Sequence, residues 1–274
     1  MSARRGLHSG QYRQVYIPMK PAVPAQVRRQ GRHLAIFALL ALISASTLLA
    51  SPYLQQGFAL ADLSTTSDER RSERLADGSQ IDMDASSAVD LQFDPQQRRV
   101  NLLRGAVRVQ VANDPLRPFN VVTPQGHIHA LGTRLIVERL EDATIVTLLE
   151  SAARVDSAGH SRTLNAGQRL RFDASGPGAA QQVDRVVLEN AWNTHHLAAD
   201  DQPLSEVLER LARHREGLMW FDKHALSTLQ VTAMLPTDDS DGALRQLAGT
   251  LPIQVRQYSP WLTVVSLKPQ RAEN

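Results

Sequence analysis

The chain has 274 residues, of which 42% are hydrophobic, enough for one large or two modest packed domains. It contains no cysteine, which excludes disulfides, thiolate metal sites and a cysteine nucleophile. Aromatic residues make up only 5%, which argues against a stacking platform for sugars or bases.

Residues 1–33 are a basic tail punctuated by Pro18, Pro21 and Pro24, a spacing that favours an extended arm. The tail holds seven of the 30 Lys and Arg and no Asp or Glu. The rest of the chain therefore has 23 Lys and Arg against 28 Asp and Glu and is net acidic. The positive net charge of +2 thus belongs to the tail and does not indicate nucleic-acid binding. We interpret the tail as a topology and lipid signal, the alternative being a docking arm for a cytoplasmic partner.

The uncharged stretch LAIFALLALISASTLLA, residues 34–50, predicts a transmembrane helix over 34–54. At about 1.5 Å per residue, a helix continued to residue 54 reaches the ~30 Å of a bilayer core. The positive-inside rule then places the N-terminus in the cytoplasm and the later domains in the periplasm, as a single-pass protein of a bacterial inner membrane. A cleaved signal peptide is the alternative, because Ala59-Leu60-Ala61 has a small-x-small form. The apolar run exceeds a usual signal-peptide core, which favours the retained anchor.

Residues 55–74 are polar and are interpreted as a stalk, and from 75 to 173 the hydrophobic period becomes two. Val107, Val109 and Val111, for example, alternate with Arg108 and Gln110. Turn signals recur about every 8–12 residues, a spacing typical of all-β domains. We predict a mainly β domain, either a sandwich, a barrel or a solenoid, whose strands are apolar on one face and solvated on the other.

The composition changes again at 174–190, which begins ASGPGAAQQ and is interpreted as a linker. Beyond it, 191–268 is predicted to be a small α+β domain with two amphipathic helices. In the first helix Pro203 is expected at the first helical position and Asp201 near the cap; the second is expected to open at the acidic run 238–241. The predicted strands are 218–221, 229–234, 253–257 and 261–267.

The nine histidines invite a metal or acid–base interpretation. His127 and His129 would share a strand face, and His195 and His196 are adjacent, but no HExxH motif completes a ligand set. Neither a G-x-S-x-G elbow nor a phosphate-binding glycine loop is present. We therefore predict solvated or interface histidines and no catalytic residues, cofactor or metal site, so that the chain is not an enzyme.

Seven sequence blocks follow one another along the chain: LADGS (75–79), QQRRVNLLRGA (96–106), DPLRPF (114–119), ALGTR (130–134), LLES (148–151), LNAGQRL (164–170) and PLSEVLERLARH (203–214). Their order resembles that of FecR-type (FecR/PupR-type) proteins, which are single-span transmembrane regulators of iron-uptake sigma factors. The last block resembles the C-terminal part of that family, which is similar to the short N-terminal (STN) domain of secretins and TonB-dependent receptors.

Two features depart from the family pattern. Family members commonly carry a longer cytoplasmic part with Trp-containing helices that bind the sigma factor, whereas 33 residues without Trp precede the predicted span here. We therefore expect the sigma-binding part to be truncated or atypical. Gly105 is followed by Ala106 where the family usually has an acidic residue, and we expect this to change one surface or loop contact.

The resemblance implies a signal relay from the signalling domain of an outer-membrane TonB-dependent receptor to an extracytoplasmic-function sigma factor. An exposed strand edge would capture the receptor domain, and the candidate contacts lie in the predicted strands of the α+β domain. The alternative function is a structural or scaffold protein of the envelope with no sigma-factor role. The candidate partner-binding residues are Leu218, Trp220, Phe221, Leu229 and Val231.

Overall fold

A computed structural model of the chain describes residues 61–130 and 132–269, all within one compact unit, Gln56–Asn274. The predicted tail and the predicted span lie outside these residues. Within the described ranges, no helix is both long enough and apolar enough to cross a membrane. The described chain is mainly β, with a β domain followed by a smaller C-terminal α/β domain.

The β domain consists of two sheets that share one long strand, β5. The first half of β5 pairs with β4 and β6, and the second half pairs with β3 and β8. The first sheet has the order β11-β10-β7-β6-β5-β4-β1, and the second has β2-β3-β5-β8-β9-β12 with β13 and β14 on β12. The strands are β1 Leu63–Ser64, β2 Arg71–Arg74, β3 Gln80–Met83, β4 Ala88–Phe93, β5 Arg98–Gln110, β6 Phe119–Thr123, β7 Gly126–Ala130, β8 Arg134–Arg139, β9 Ala143–Leu148, β10 Ala152–Ser157, β11 His160–Asn165, β12 Gln168–Asp173, β13 Gly176–Pro177 and β14 Gln181–Gln182.

Gly105 lies where β5 passes from one sheet to the other. Its φ is +83°, and a Cβ there would lie 2.2 Å from Ser87 Oγ. Ser87 Oγ accepts a hydrogen bond from the Ala106 amide at 2.9 Å and donates one to its carbonyl at 3.0 Å. Ala106 itself is fully buried, so the expectation that its difference from the family changes a surface or loop contact is wrong. An acidic side chain here would lie beside Glu138, on the face of the second sheet that the C-terminal domain covers.

Alternating side chains of the two sheets meet in one hydrophobic core. Val107, Val137 and Val146 contribute from the second sheet, and Val121 and Ile128 from the first; all are fully buried. Two sheets around a common core are the arrangement of a sandwich, one of the three predicted architectures.

The structure differs from the predicted stalk over 61–74. Leu63 pairs with Val89 in the first sheet, and Arg71 pairs with Met83 in the second. These residues therefore belong to the β domain. Strand β2 reads Arg-Ser-Glu-Arg and carries no hydrophobic alternation, so only its backbone pairing makes it a strand.

The predicted linker, 174–190, is also shorter than expected. The short strands β13 and β14 pair with β12, and helix α1, Arg185–Asn193, begins within the range. Asp184 caps this helix by accepting hydrogen bonds from the Val186 and Val187 amides at 2.9 and 3.2 Å. Val186 and Val187 are exposed, whereas Leu188, Ala191 and Trp192 at i, i+3 and i+4 form the buried and half-buried side of the helix. Sequence reasoning missed this short apolar stripe.

The C-terminal domain packs helices on two small sheets. Strands β15 and β17 form an antiparallel pair, while β16, β19 and β18 form a second sheet in that order, with β16 and β19 parallel. The predicted helices and strands are all present, together with β15 and α3, which the sequence did not indicate. The elements are β15 His196–Pro203, α2 Leu204–Ala212, β16 Leu218–Phe221, α3 Lys223–Leu226, β17 Gln230–Pro236, α4 Ser240–Thr250, β18 Ile253–Ser259 and β19 Leu262–Leu267.

The two long helices of this domain begin differently. Pro203 is the N-cap of α2 rather than its first residue, and it makes no side-chain capping bond. Asp201 lies in β15 with a φ of +46° and does not cap the helix. Helix α4 begins as its acidic run predicts, with Asp239 accepting a hydrogen bond from the Gly242 amide at 2.8 Å.

Candidate partner-binding site

Strand β16 lies at the edge of the three-stranded sheet of the C-terminal domain. It pairs with β19, and within the described residues no second strand pairs with it. An edge strand presents backbone donors and acceptors that another chain can pair with. The fold therefore offers one candidate docking edge in the region where the sequence predicted partner binding.

Large apolar side chains surround this edge. Along β16, Leu218 is 60% and Trp220 54% exposed, while Met219 between them faces the core. Tyr258 and Trp261, near the turn between β18 and β19, are each 64% exposed. The Leu218 amide donates to the Trp261 carbonyl at 2.8 Å, which joins the two groups. We call Leu218, Trp220, Tyr258 and Trp261 the β16 surface; exposed apolar clusters of this kind mark interaction sites.

The five residues predicted to bind a partner divide by burial. Leu218 and Trp220 belong to the β16 surface, whereas Phe221 and Leu229 are half-buried and pack against the core. Val231 is only 3% exposed and is a core residue, so its assignment to a partner surface is corrected. Sequence reasoning missed Tyr258 and Trp261, although two aromatic residues flanking the turn at Ser259-Pro260 are a usable signal.

A second candidate region is the polar interface between the two domains. The outer face of the second sheet, predicted to be solvated, is covered by the C-terminal domain. Glu138 of β8 accepts two hydrogen bonds from Arg210 of α2 there, and both side chains are 7% exposed. Arg108 of β5 lies over the ring of Trp192 at 5.6 Å and donates to Asn193 Oδ1 at 2.7 Å. Charged groups thus hold the domains together.

Asp84 forms a second ion cluster at this interface. Its carboxylate lies 3.0 Å from Arg70 Nε and 3.2 Å from Nε2 of His214, whose side chain is 4% exposed. Burial by itself would raise the pKa of Asp84. The hydrogen bond and charge of His214, together with the charge of Arg213, lower that pKa by a larger amount. The net effect places its pKa well below the usual aspartate range, so this carboxylate stays ionised.

The histidines singled out in the sequence take part in hydrogen bonds and ion pairs. His129 lies between Asn120 at 2.6 Å and Asp156 at 2.8 Å, and its ring stacks with that of His127 at a centroid distance of 6.4 Å. His195 contacts Asp238 at 3.0 Å. In the described ranges, no group of three or more His, Cys, Asp or Glu is placed to hold a metal ion.

Comparisons with known proteins agree with the sequence blocks. The family model described as FecR protein matches residues 61–154. Two crystal structures of a proposed anti-sigma factor from Parabacteroides distasonis are similar in fold, with a TM-score of 0.66 each and identities of 19% and 18%. Each alignment covers 75% of this chain and at least 97% of the other, so the shared fold extends beyond the matched family model. No curated protein sequence matches.

The family match begins at residue 61, at the start of the described β domain, and contains the first five ordered blocks from LADGS to LLES. The chain therefore carries a FecR-type domain over residues 61–154, and the resemblance to the FecR family is confirmed.

Proposed function

We propose that the chain is an inner-membrane signal transducer that regulates an extracytoplasmic-function sigma factor in response to an outer-membrane TonB-dependent receptor. The observation that carries this proposal is a FecR-type domain joined to a C-terminal domain with an exposed apolar edge strand. The likeness to a proposed anti-sigma factor supports the regulatory role by analogy of fold.

The membrane topology follows from the predicted span over 34–54 and the basic tail before it. The tail would serve as a truncated or atypical sigma-binding part in the cytoplasm, in addition to its role as a topology and lipid signal. The two folded domains would lie in the periplasm. One span can transmit a signal only through a change in association, proteolysis or tail exposure.

Receptor binding would occur by strand addition at β16. The signalling domain of the receptor would pair one strand with the free edge through backbone hydrogen bonds, which provide affinity. Leu218 and Trp220 would enter pockets between the side chains of the added strand and provide specificity. Their exposure makes them available for contact without any opening of the core.

Calorimetry tests the receptor interaction. The full-length chain in detergent is titrated with the signalling domain of the TonB-dependent receptor encoded beside its gene. We expect a Kd of about 1 μM or tighter, in the range of specific protein complexes. Trp220→Ser should weaken binding at least roughly tenfold, because exposed aromatic anchors carry much of the binding free energy. Leu116→Ser is the matched control, since Leu116 is 90% exposed on the β domain.

A structural envelope protein is the alternative, and the tail separates the two functions. In a pull-down with residues 1–33, an extracytoplasmic-function sigma factor should be retained if the chain is a regulator. Retention that is lost when the arginines of the tail are replaced by serine supports the regulatory role. If no sigma factor binds while the receptor domain does, the scaffold function is favoured.

A further inference from the structure

A cavity of about 50 Å³ lies between the β domain and the C-terminal domain. The outer face of the second sheet forms one side, and α1, α2 and β15 form the other. Its charged lining is unusual for a buried space, with four arginines and two carboxylates. These residues are Arg70, Arg169, Arg210, Arg213, Asp84 and Glu138.

Both carboxylates of the lining already form ion pairs with cationic side chains other than Arg169. Glu138 pairs with Arg210 and Arg213, and Asp84 pairs with Arg70 and His214. Arg169 forms no direct ion pair with any described carboxylate, and the charges of Glu138, Asp200 and Glu206 act on it only from a longer distance. The lining therefore carries an excess of positive charge.

Arg169 extends from β12 and is 6% exposed, yet its single hydrogen bond within the described residues runs from Nε to Thr147 Oγ1 at 3.3 Å. Burial, and then the charge of Arg210, lower its pKa to about 10. The charges of Glu138, Asp200 and Glu206 offset part of this decrease. A buried guanidinium that lacks a direct ion pair is nevertheless unfavourable. This arginine faces the cavity from the β domain with donors to spare.

Arg213 supplies donors from the opposite side. It follows α2 as its C-cap residue, and its Nη2 lies 3.2 Å from Glu138 Oε2. Its Nε and Nη1 are buried and have no hydrogen-bond partner among the described residues. Buried donors are normally satisfied, so these atoms indicate a missing acceptor.

We propose that this cavity binds a small inorganic oxyanion, phosphate or sulfate, between Arg169 of the β domain and Arg213 of the C-terminal domain. Guanidinium groups only donate hydrogen bonds, and they match the oxygens of tetrahedral anions. A single water needs about 10–15 Å³ of such volume, so a few oxygen-sized atoms fit and an organic ligand does not. The anion would link the two domains and stabilise their association. This inference does not depend on the proposed receptor or sigma-factor role.

Thermal unfolding of the full-length chain in detergent tests the site. Phosphate or sulfate is added while a bulky organic anion holds the ionic strength constant. The Tm should rise and saturate, by roughly 5–10 °C when the anion is at about 100 times its Kd. An unchanged Tm for both anions would overturn the proposal. A rise that also occurs with the bulky anion would do the same, because that anion exceeds the cavity.

The variant Arg169→Met locates the effect. It should abolish the rise with phosphate and, because it removes a buried charge that has no direct ion pair, leave the Tm without added anion unchanged or higher. Arg154→Met is the matched control, since Arg154 is exposed on β10 outside the cavity and should keep the full rise. If Arg169→Met keeps the rise as well, the anion binds elsewhere and the proposed site is wrong. If that variant fails to fold, ³¹P NMR of phosphate with the parent chain is the second measurement. Binding should broaden the phosphate line, and added sulfate should reverse the broadening if the two anions share one saturable site.

Discussion

The carboxylate of Glu138 on β8 accepts hydrogen bonds from Arg210 Nε at 2.7 Å and from Arg210 Nη2 at 3.0 Å on α2. This pair joins the β domain to the C-terminal domain at a site from which water is almost excluded. Arg213 adds a third contact to the same carboxylate at 3.2 Å. Burial of Glu138 raises its pKa, but the charges of Arg210 and Arg213 lower it more, so it stays ionised.

Glu138→Gln should strongly destabilise the described unit. It leaves Arg210 and Arg213 buried without their counter-charge, and removing one partner of a buried ion pair costs about 3–5 kcal/mol. Denaturant unfolding measures the loss. Glu150→Gln is the control, because Glu150 is half-exposed where it pairs with Arg134, and the change should cost less than about 1 kcal/mol. Equal, small effects of both variants would show that the interface pair contributes little.

Stability should fall in acid because of the interface carboxylates. Asp84 and Glu138 both have pKa values lowered in the folded state from their ordinary 3.8 and 4.5. A lowered pKa contributes stability that is complete above about pH 5, where the unfolded carboxyls are ionised, and is lost as the pH falls toward the folded-state value. The urea midpoint of the parent should therefore decrease between about pH 5 and pH 3. The decrease should be smaller in Asp84→Asn; a variant that loses as much stability as the parent would exclude Asp84 as a source.

Gly105→Ala should disrupt the passage of β5 between the two sheets. The new Cβ would lie 2.2 Å from Ser87 Oγ and 2.5 Å from its Cα, in a backbone conformation with φ at +83°. We expect a loss above about 3 kcal/mol, since both strain and overpacking act. Gly159→Ala is the matched control, because Gly159 has a φ of +77° and open space around it. It should show only the backbone term, about 1–2 kcal/mol, in the same urea titration.

Substitutions at the residues predicted to bind a partner should differ in how much they lower the free energy of unfolding. Val231→Ala removes buried methyl groups from the C-terminal core and should cost about 2 kcal/mol. Trp220→Ser acts on a side chain that is 54% exposed and should cost less than about 1 kcal/mol. Urea midpoints distinguish the two. A large loss with Trp220→Ser would indicate that this tryptophan is structural, and its proposed contact role would then lose its support.

The hydrophobic period predicted the strands of the β domain but not what covers them. Asp82, Arg108 and Glu138 alternate with core residues, which indicates a solvated face. The structure places this face under a second domain, in which Asn193 binds Arg108 and Arg210 binds Glu138. A polar pattern satisfied by water and one satisfied by another domain are identical in sequence, so the interface could not be predicted.

The sequence predicted only part of the candidate site, because alternation along a strand does not show what each face contacts. Leu218 and Trp220 alternate with Met219, and this alternation gives the strand but not which side faces outward. Val231 has the same composition cues as Leu218, yet it lies in the core because its own face of β17, shared with Ala233 and Leu235, packs inward. Tyr258 and Trp261 come near Leu218 only through the parallel pairing of β16 with β19, a contact distant in sequence.

Hydrogen exchange on the full-length chain, with and without the signalling domain of the receptor, tests the central claim that β16 is a docking edge. The Leu218 amide already donates to the Trp261 carbonyl, so the alternate amides of Met219 and Phe221 face the free edge. Strand addition predicts slower exchange of these two amides in the complex, with the amides of β4 and β11 in the β domain unchanged. If the receptor domain binds while exchange at β16 stays the same and slows elsewhere, the β16 surface is not the docking site.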